Sequence, residues 1–225
     1  MSDLSLIETQ DGSHSLLSQQ LGVSYHSRYG AIQESRHVFI QAGLQYQMLK
    51  QKQGIRILEI GFGTGLNALL TLLEAEQYKY PIHYVGLEAY PIALHQVAQL
   101  NYPHQLAQEG LDLPALFRQL HESNWGEWHS ISPFFHFRKE LIHFEEADYT
   151  EAFDLIYFDA FAPGAQPELW EKPLMQSMYQ ALRPDGVLVT YCAKGMVKRT
   201  LREVGFRVIG LPGPPGKREM TRAEK

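Results

Sequence analysis

The sequence predicts an α/β protein with a Rossmann-like, mostly parallel seven-stranded sheet. Two observations support this fold class. Apolar runs of strand length alternate with helix-forming segments, and a glycine-rich loop directly follows the first of the main runs. Strands that are buried on both faces read as continuous apolar runs, and helical crossovers connect them. With 225 residues, of which 44% are hydrophobic, the chain is long enough to bury one substantial core.

Residues 1–50 are predicted to form a small N-terminal extension, and residues 51–225 the main domain. Within the extension, residues 6–9 and 13–17 flank the turn pair Asp11-Gly12, which indicates a hairpin. Residues 34–50 carry apolar side chains at a spacing that fits a helix better than a strand. We therefore expect a hairpin and a helix before the sheet begins.

The main domain is predicted to alternate strands and helices and to end in an antiparallel pair. The expected parallel strands are 55–60, 83–87, 153–158 and 187–191, and the expected helices are 66–77, 92–100 and 169–182. Residues 134–138 and 141–145 alternate like paired strands, the second ending near Asp148. Residues 206–211 and 219–223 then complete the sheet.

The segment ILEIGFGTGLN, which ends at Asn67, is the strongest local signal. Gly61, Gly63 and Gly65 follow a strand and precede a helix, where free backbone amides and the absence of side chains suit a nucleotide-type ligand. A dinucleotide fingerprint needs a sixth-position glycine, but Leu66 stands there. The loop, with Glu59 just upstream, therefore favours S-adenosylmethionine over NAD, although a loop needed only for helix–sheet packing is the alternative.

Acidic residues at strand ends extend this cofactor hypothesis. Glu88 ends the second parallel strand, where a carboxylate accepts hydrogen bonds from the two ribose hydroxyls of an adenosine. Because NAD enzymes share this feature, Glu88 indicates adenosine without choosing the cofactor. Asp148 is predicted to meet the adenine amino group, with Glu145 and Glu146 as competitors and a helix N-cap as the structural alternative.

Asp159 is the predicted catalytic residue. It ends the apolar strand that should lie beside the glycine loop, at the crevice where open parallel sheets bind ligands. Methylation of an amine needs a free nitrogen lone pair, so a carboxylate there would orient the substrate N–H and help remove a proton. Phe161 is predicted to shape an aromatic slot for a flipped-out base. A loop-capping aspartate and a packing phenylalanine are the alternatives.

Charge is distributed unevenly along the chain. The net charge is -5, yet residues 194–225 carry nine Lys and Arg against three Glu, so this segment is +6 and the remainder is -11. Such asymmetry is typical of a polyanion-binding edge on an acidic body, although a solvated helix and tail would look the same. The predicted phosphate contacts are Lys194, Lys198, Arg199, Arg202, Lys217 and Arg218.

Several classes of protein are not expected. The N-terminus has neither a basic nor an apolar signal-peptide region, and no apolar run has the length of a membrane span. The lone cysteine, Cys192, excludes a disulfide framework, and the ten histidines show no metal-ligand spacing, so we expect no metal. A cytoplasmic location is predicted.

The motifs together resemble a known family. They are ESRHVF from Glu34, GFGTGLN from Gly61, LEAYP from Leu87, DAFAP from Asp159, PELW from Pro167, LRPDG from Leu182, GMVKRTLREVGF from Gly195 and GKREM from Gly216. The chain is similar to the methyltransferase that completes methylaminomethyl groups on the wobble uridine of tRNA, called MnmD alone and MnmC when fused to an oxidase. It departs from the family in SYHSRYGAIQES, residues 24–35, where members often show Tyr-Phe-Ser before the glutamate.

This resemblance implies a class I fold and methyl transfer from S-adenosylmethionine to the amine of 5-aminomethyl-uridine, usually thiolated at position 2. The implied partners are the tRNA anticodon stem-loop and the enzymes that install the aminomethyl group. No FAD is expected, because 225 residues leave no room for the oxidase domain. Cofactor binding is expected from Glu59, Gly61, Gly63, Gly65, Asn67, Glu88 and Asp148. A nucleotide-dependent oxidoreductase and a noncatalytic RNA-binding module are the alternative functions.

Overall fold

The computed structural model describes residues 4–50 and 53–225. The chain begins with a three-stranded antiparallel sheet whose strands are β1 (Leu4–Glu8), β2 (His14–Ser18) and β3 (Val23–Ser24). The Asp11 carboxylate shapes the turn between β1 and β2 by accepting from the Ser13 backbone N–H at 3.0 Å. The predicted hairpin is confirmed, and the short β3 adds a third strand to it.

A long helix follows the N-terminal sheet, as predicted. It runs through α1 (Ala31–Ser35), a π-helical segment (Arg36–Gln45) and α2 (Tyr46–Met48). Its buried side chains, among them Val38 and Phe39, join the same hydrophobic core as the main sheet. The predicted N-terminal extension and main domain thus share one hydrophobic core. The boundary predicted between residues 50 and 51 falls at residues 51 and 52, which lie outside the described ranges.

Within the described ranges, the central sheet has eight strands. They are β4 (Ile55–Ile60), β5 (Ile82–Glu88), β6 (His129–Ser132), β7 (Phe135–Leu141), β8 (Phe153–Phe158), β9 (Leu182–Thr190), β10 (Arg207–Pro212) and β11 (Glu219–Glu224), in the spatial order β10-β11-β9-β8-β4-β5-β7-β6. The five central strands run parallel, and β6, β10 and β11 complete the edges in antiparallel pairings. The predicted mostly parallel α/β fold is confirmed, with β6 as the additional strand.

The prediction of paired strands at 134–138 and 141–145 was wrong in its second member. The partner of β7 is β6, which precedes it, and the chain leaves the sheet after Leu141. A single 3-10 turn at Phe144–Glu146 follows, with Phe144 buried. β6 was not predicted from the sequence, because only Ile131 of its four residues is buried and the apolar pattern there is weak.

The helices are α3 (Leu66–Tyr78), α4 (Leu94–Val97), α5 (Tyr102–Gln105), α6 (Leu113–Glu122), α7 (Lys172–Ala181) and α8 (Gly195–Glu203). The predicted helix at 92–100 shortens to the four residues of α4. Helix α6 was not predicted. Pro114 occupies the first turn of α6, and the Asp112 side chain caps it by accepting from the Ala115 N–H at 3.1 Å.

Strand register brings the predicted site residues to one level of the sheet. Ile60 at the end of β4 pairs with Leu87 of β5 on one side and with Phe158 of β8 on the other. Gly61, Glu88 and Asp159 each come one residue later, so they emerge together at the carboxyl edge. No helix among the described residues is long and apolar enough to cross a membrane.

Candidate active site

A cavity of about 860 Å³ opens at the carboxyl edge of β4, β5 and β8. The glycine loop, Glu88, Asp159 and Phe161 line it, as the sequence predicts. The N-terminal sheet and the residues next to its strands supply a further wall through Leu4, Ser18, Gln20, Leu21 and Tyr25. The N-terminal extension is therefore part of the site rather than an appendage beside it.

The glycine loop follows β4 as a tight backbone turn. Gly61, Gly63 and Gly65 have φ angles of 91°, 49° and 73°, which side chains rarely allow. The Glu88 carboxylate fixes the loop by accepting from the Gly63 N–H and from the Tyr90 N–H, each at 2.8 Å. Burial raises the pKa of Glu88, although these backbone hydrogen bonds oppose the shift. Glu88 therefore shapes the loop as well as lining the cavity.

Asn67, in the first turn of α3, joins the acids of two neighbouring strands. Its Nδ2 donates to Glu59 Oε1 at 2.9 Å and to Asp159 Oδ2 at 2.8 Å. Glu59 is fully buried, and burial raises its pKa well above the ordinary value. Because Asn67 and Asp159 line the cavity whereas Glu59 does not, Glu59 supports the site from behind.

Asp159 lies in an electrostatic environment set by several elements. Burial raises the pKa of its carboxyl well above the ordinary value, and the negative charge of Glu34 adds to this. The hydrogen bond from Asn67 and the positive charge of Lys217 act in the opposite direction. A carboxyl with a raised pKa is a stronger base than ordinary aspartate once it is ionised, which suits proton removal from an ammonium group.

Aromatic and imidazole side chains connect the N-terminal sheet to the site. The Tyr25 and Phe161 rings meet edge to face with centroids 5.0 Å apart, and both line the cavity. His26 bridges Ser15 Oγ at 3.0 Å and Thr64 Oγ1 of the glycine loop at 3.3 Å. Burial lowers the pKa of His26 to about 4, so this bridge is neutral at physiological pH.

The comparisons with known proteins agree with this geometry. A family profile described as S-adenosyl-L-methionine-dependent methyltransferase matches residues 134–225. The chain is 31% identical over 212 residues to the tRNA 5-methylaminomethyl-2-thiouridine biosynthesis bifunctional protein MnmC of Cupriavidus necator, covering 88% of this chain and 31% of that protein. The MnmC protein of Leptospira interrogans is 27% identical over 221 residues, which cover 91% of this chain and 33% of that protein.

Among solved structures, MNMC2 from Aquifex aeolicus shares the fold. It superposes with a TM-score of 0.80 at 24% identity, over 99% of this chain and 70% of that one. Residues 134–225 thus match the S-adenosyl-L-methionine-dependent methyltransferase family, and the chain as a whole has the fold of MNMC2. The resemblance to the MnmC family is confirmed, and the chain spans about a third of the length of the curated relatives it matches.

The methyltransferase has a cavity that fits the family's cofactor. An added side chain at Gly63 would meet Tyr25 Cδ1 at 3.2 Å, so the glycine lets the Tyr25 ring pack closely against the loop that lines the cavity. The free amides at the start of the 13-residue helix α3 lie at the same edge. Among the described residues, no group of three or more His, Cys, Asp or Glu side chains is arranged to hold a metal ion.

The premise that placed Asp148 in the cofactor site was wrong. β7 ends at Leu141, so Asp148 does not end a strand, and it is exposed beyond the 3-10 turn. Glu145, one of its two competitors, lines the cavity of the methyltransferase, whereas Asp148 does not. The turn carries the chain past the cavity mouth at Glu145 and then away from it.

The six predicted phosphate-contacting residues fall into two groups. Lys194, Arg199, Arg202 and Arg218 are exposed. Lys194 lies beside the loop that follows Asp159, because a side chain added at Gly164 would sit 3.9 Å from its Nζ. Lys198 pairs with Glu219 at 2.7 Å, and Lys217 pairs with Glu34 at 2.5 Å. The exposed four form what we call the basic edge of the methyltransferase.

Glu34, Tyr25 and Tyr191 were not among the residues predicted for the site. Each is far from the glycine loop in sequence and comes near it only through tertiary packing. The Tyr191 hydroxyl donates to the Ala160 carbonyl at 2.8 Å, next to Asp159. A signal for Glu34 was present, since it opens the family motif ESRHVF, but the motif does not say what the glutamate contacts.

Proposed function

We propose that this methyltransferase transfers a methyl group from S-adenosylmethionine to the amine of 5-aminomethyl-(2-thio)uridine at the wobble position of tRNA. The observation that carries the proposal is the placement of Asp159. Its carboxylate borders the cavity beside the glycine loop and is held by Asn67. The names of the MnmC relatives contain 5-methylaminomethyl-2-thiouridine, the nucleoside that this transfer would form.

In this proposal the cofactor occupies the part of the cavity that the glycine loop and Glu88 line. Gly61 and Gly63 line that part and allow close approach of the cofactor, whereas Gly65 packs against His121. Glu88 accepts from the ribose hydroxyls, and Glu145 replaces Asp148 as the acid near the adenine. Glu59 and Asn67 support the loop and the catalytic carboxylate. When bound, S-adenosylmethionine supplies an electrophilic methyl group on a sulfonium sulfur.

Asp159 acts as the general base that removes a proton from the substrate amine. The amine arrives largely as an ammonium group, whose positive charge favours the ionised carboxylate and lowers its pKa. Asp159 then accepts a proton from the nitrogen, which frees the lone pair needed for attack on the methyl carbon. Tyr25 and Phe161 border the same cavity and provide apolar faces for the uracil ring. The basic edge contacts the phosphates of the anticodon stem-loop.

The test is methylation of tRNA that bears the unmethylated aminomethyl-uridine. Wild-type protein is incubated with labelled S-adenosylmethionine, and the methylated nucleoside is identified by mass. Asp159→Asn should lose roughly two to four orders of magnitude in rate, the usual range of general-base help, while cofactor affinity changes little. Label on another nucleoside would refute the substrate, and full activity in the variant would refute the role of Asp159.

Two measurements address the alternative functions. Calorimetry that shows tight NADH binding and none of S-adenosylmethionine would support an oxidoreductase. Binding of neither cofactor would support a noncatalytic RNA-binding module.

The proposed function places the enzyme in the cytoplasm with tRNA and requires enzymes that install the aminomethyl group, because the transfer starts from that free amine.

A further inference from the structure

Lys217 was predicted to contact phosphate, but its ammonium group points into the protein. Its Nζ lies 2.5 Å from Glu34 Oε1 and 3.9 Å from the centroid of the Tyr191 ring. Glu34 Oε2 in turn accepts from the Ser27 N–H at 2.8 Å, and the Glu34 side chain is 8% exposed. An ammonium held by a buried carboxylate and an aromatic face is not free to bind a phosphate.

The surrounding backbone holds Lys217 in this position. Gly216, directly before it, has a φ of 82° and packs on the Tyr29 ring so closely that an added side chain would come within 2.1 Å of Tyr29 Cδ2. The loop between β10 and β11 therefore lies against the N-terminal segment at two consecutive residues. This contact joins the motifs GKREM and ESRHVF, which are about 180 residues apart in the chain.

The pair reaches the catalytic strand through Tyr191. The ring that faces Lys217 donates its hydroxyl proton to the Ala160 carbonyl at 2.8 Å, and Ala160 follows Asp159. The geometry points to Glu34 and Lys217 as a positioning pair for the proposed reaction. It clamps Tyr191, and through Tyr191 the Asp159–Ala160 backbone, so that the Asp159 carboxylate faces the substrate amine. This inference rests on the proposed function.

The test compares Glu34→Gln, Lys217→Met and Tyr191→Phe, the last of which keeps the ring but loses the hydroxyl. A positioning role predicts that kcat falls roughly tenfold in the first two and severalfold in Tyr191→Phe, while KM for tRNA changes by less than about twofold. Combining Glu34→Gln with Lys217→Met should cost little more than either change alone, because both remove one pair. Unchanged kcat in all three variants would overturn the inference.

A salt titration separates this role from phosphate binding. Lys217→Met should leave the slope of log Kd for tRNA against log salt unchanged, whereas Arg218→Met, its exposed neighbour, should reduce the slope by about 0.9. If Lys217→Met reduced the slope as much as Arg218→Met and kept the wild-type kcat, Lys217 would instead be a phosphate-binding residue of the basic edge. Since Tyr191→Phe keeps both charges, its lowered kcat would support the inference even if the other variants fold poorly.

A pH profile adds a readout that general damage to the fold would not reproduce. The charged or titratable groups that interact with Asp159 from the packed elements are Glu34, Glu59, Tyr84, Tyr102, Tyr191 and Lys217. Removing the charge of Lys217 should move the acid limb of kcat/KM to higher pH, and removing that of Glu34 should move it to lower pH. Shifts in the same direction would contradict the pair. Methylation by the wild type is measured first, and its absence would refute the proposed function itself.

Discussion

Asn67 Nδ2 donates a hydrogen bond to Asp159 Oδ2 at 2.8 Å, and the same amide nitrogen donates to Glu59 Oε1 at 2.9 Å. One amide group thus uses both of its N–H bonds on the acids of two adjacent parallel strands. Helix α3 supplies this amide from its first turn, directly after the glycine loop. Asn67 therefore connects the glycine loop to Asp159, the carboxylate that we propose receives the proton.

Asn67→Ala should impair both stability and catalysis. Removing the donor leaves the buried Glu59 and the half-buried Asp159 carboxyl groups without this partner, which costs about 2 kcal/mol in the free energy of unfolding. The rate of methylation should fall at least about tenfold, because Asp159 loses its fixed orientation. Denaturant unfolding and kcat measure the two effects. Asn124→Ala is the matched control, since Asn124 is exposed and bonds to exposed Glu127; equal effects in the two variants would contradict the linkage.

Asp159→Asn should stabilise the protein without ligand near neutral pH. The raised pKa of Asp159 means that the folded state binds more protons than the unfolded state between the ordinary aspartate pKa, about 3.9, and the raised value. In that window the stability of the wild type falls as pH rises. The advantage of the variant should therefore grow from pH 4 upward and vanish in more acidic solution. Thermal unfolding as a function of pH measures this, and a variant less stable than wild type at pH 7 would contradict it.

Glu88→Ala and Glu145→Gln should weaken S-adenosylmethionine binding, whereas Asp148→Asn should not. Glu88 holds the Gly63 and Tyr90 amides, so its loss should raise the Kd for the cofactor by roughly tenfold to a hundredfold. Glu145 borders the cavity and should have a smaller effect. Asp148 is exposed outside the cavity and serves as the matched acidic control. Calorimetry decides, and a large effect of Asp148→Asn would restore it as a cofactor ligand.

The sequence was sufficient for the parallel core of the fold because that core depends on local patterns. β4 and β8 are apolar runs, and each is followed at once by its functional residues, Gly61 and Asp159. β6 carries no such pattern, because only one of its four residues is buried, which is why it was missed. The error at Asp148 has a different origin, since β7 ends at Leu141, which pairs with Glu88 of β5, and a 3-10 turn follows where a second strand was predicted.

The electrostatic partners of the site could not be predicted, because they depend on long-range packing. Lys217 and Glu34 are 183 residues apart, and a basic tail in the sequence does not reveal which of its cations turn inward. Lys198 of α8 shows the same limit, since it forms an ion pair with Glu219 at the start of β11. Charge composition thus predicted a basic edge but included Lys198 and Lys217, whose charges are paired with glutamates.

The basic edge should control the salt dependence of tRNA binding. Lys194, Arg199, Arg202 and Arg218 are exposed, and each phosphate contact that is lost should reduce the slope of log Kd against log salt by about 0.9. Arg199→Glu with Arg202→Glu should therefore flatten the slope by about two units or more and weaken binding most at low salt. Lys79→Glu is the matched control, because Lys79 is exposed at the far end of α3, about 20 Å from the glycine loop at the helix start. Fluorescence anisotropy with labelled tRNA measures the slopes. If the control variant flattens the slope as much as the double variant, the binding reflects overall charge rather than this edge.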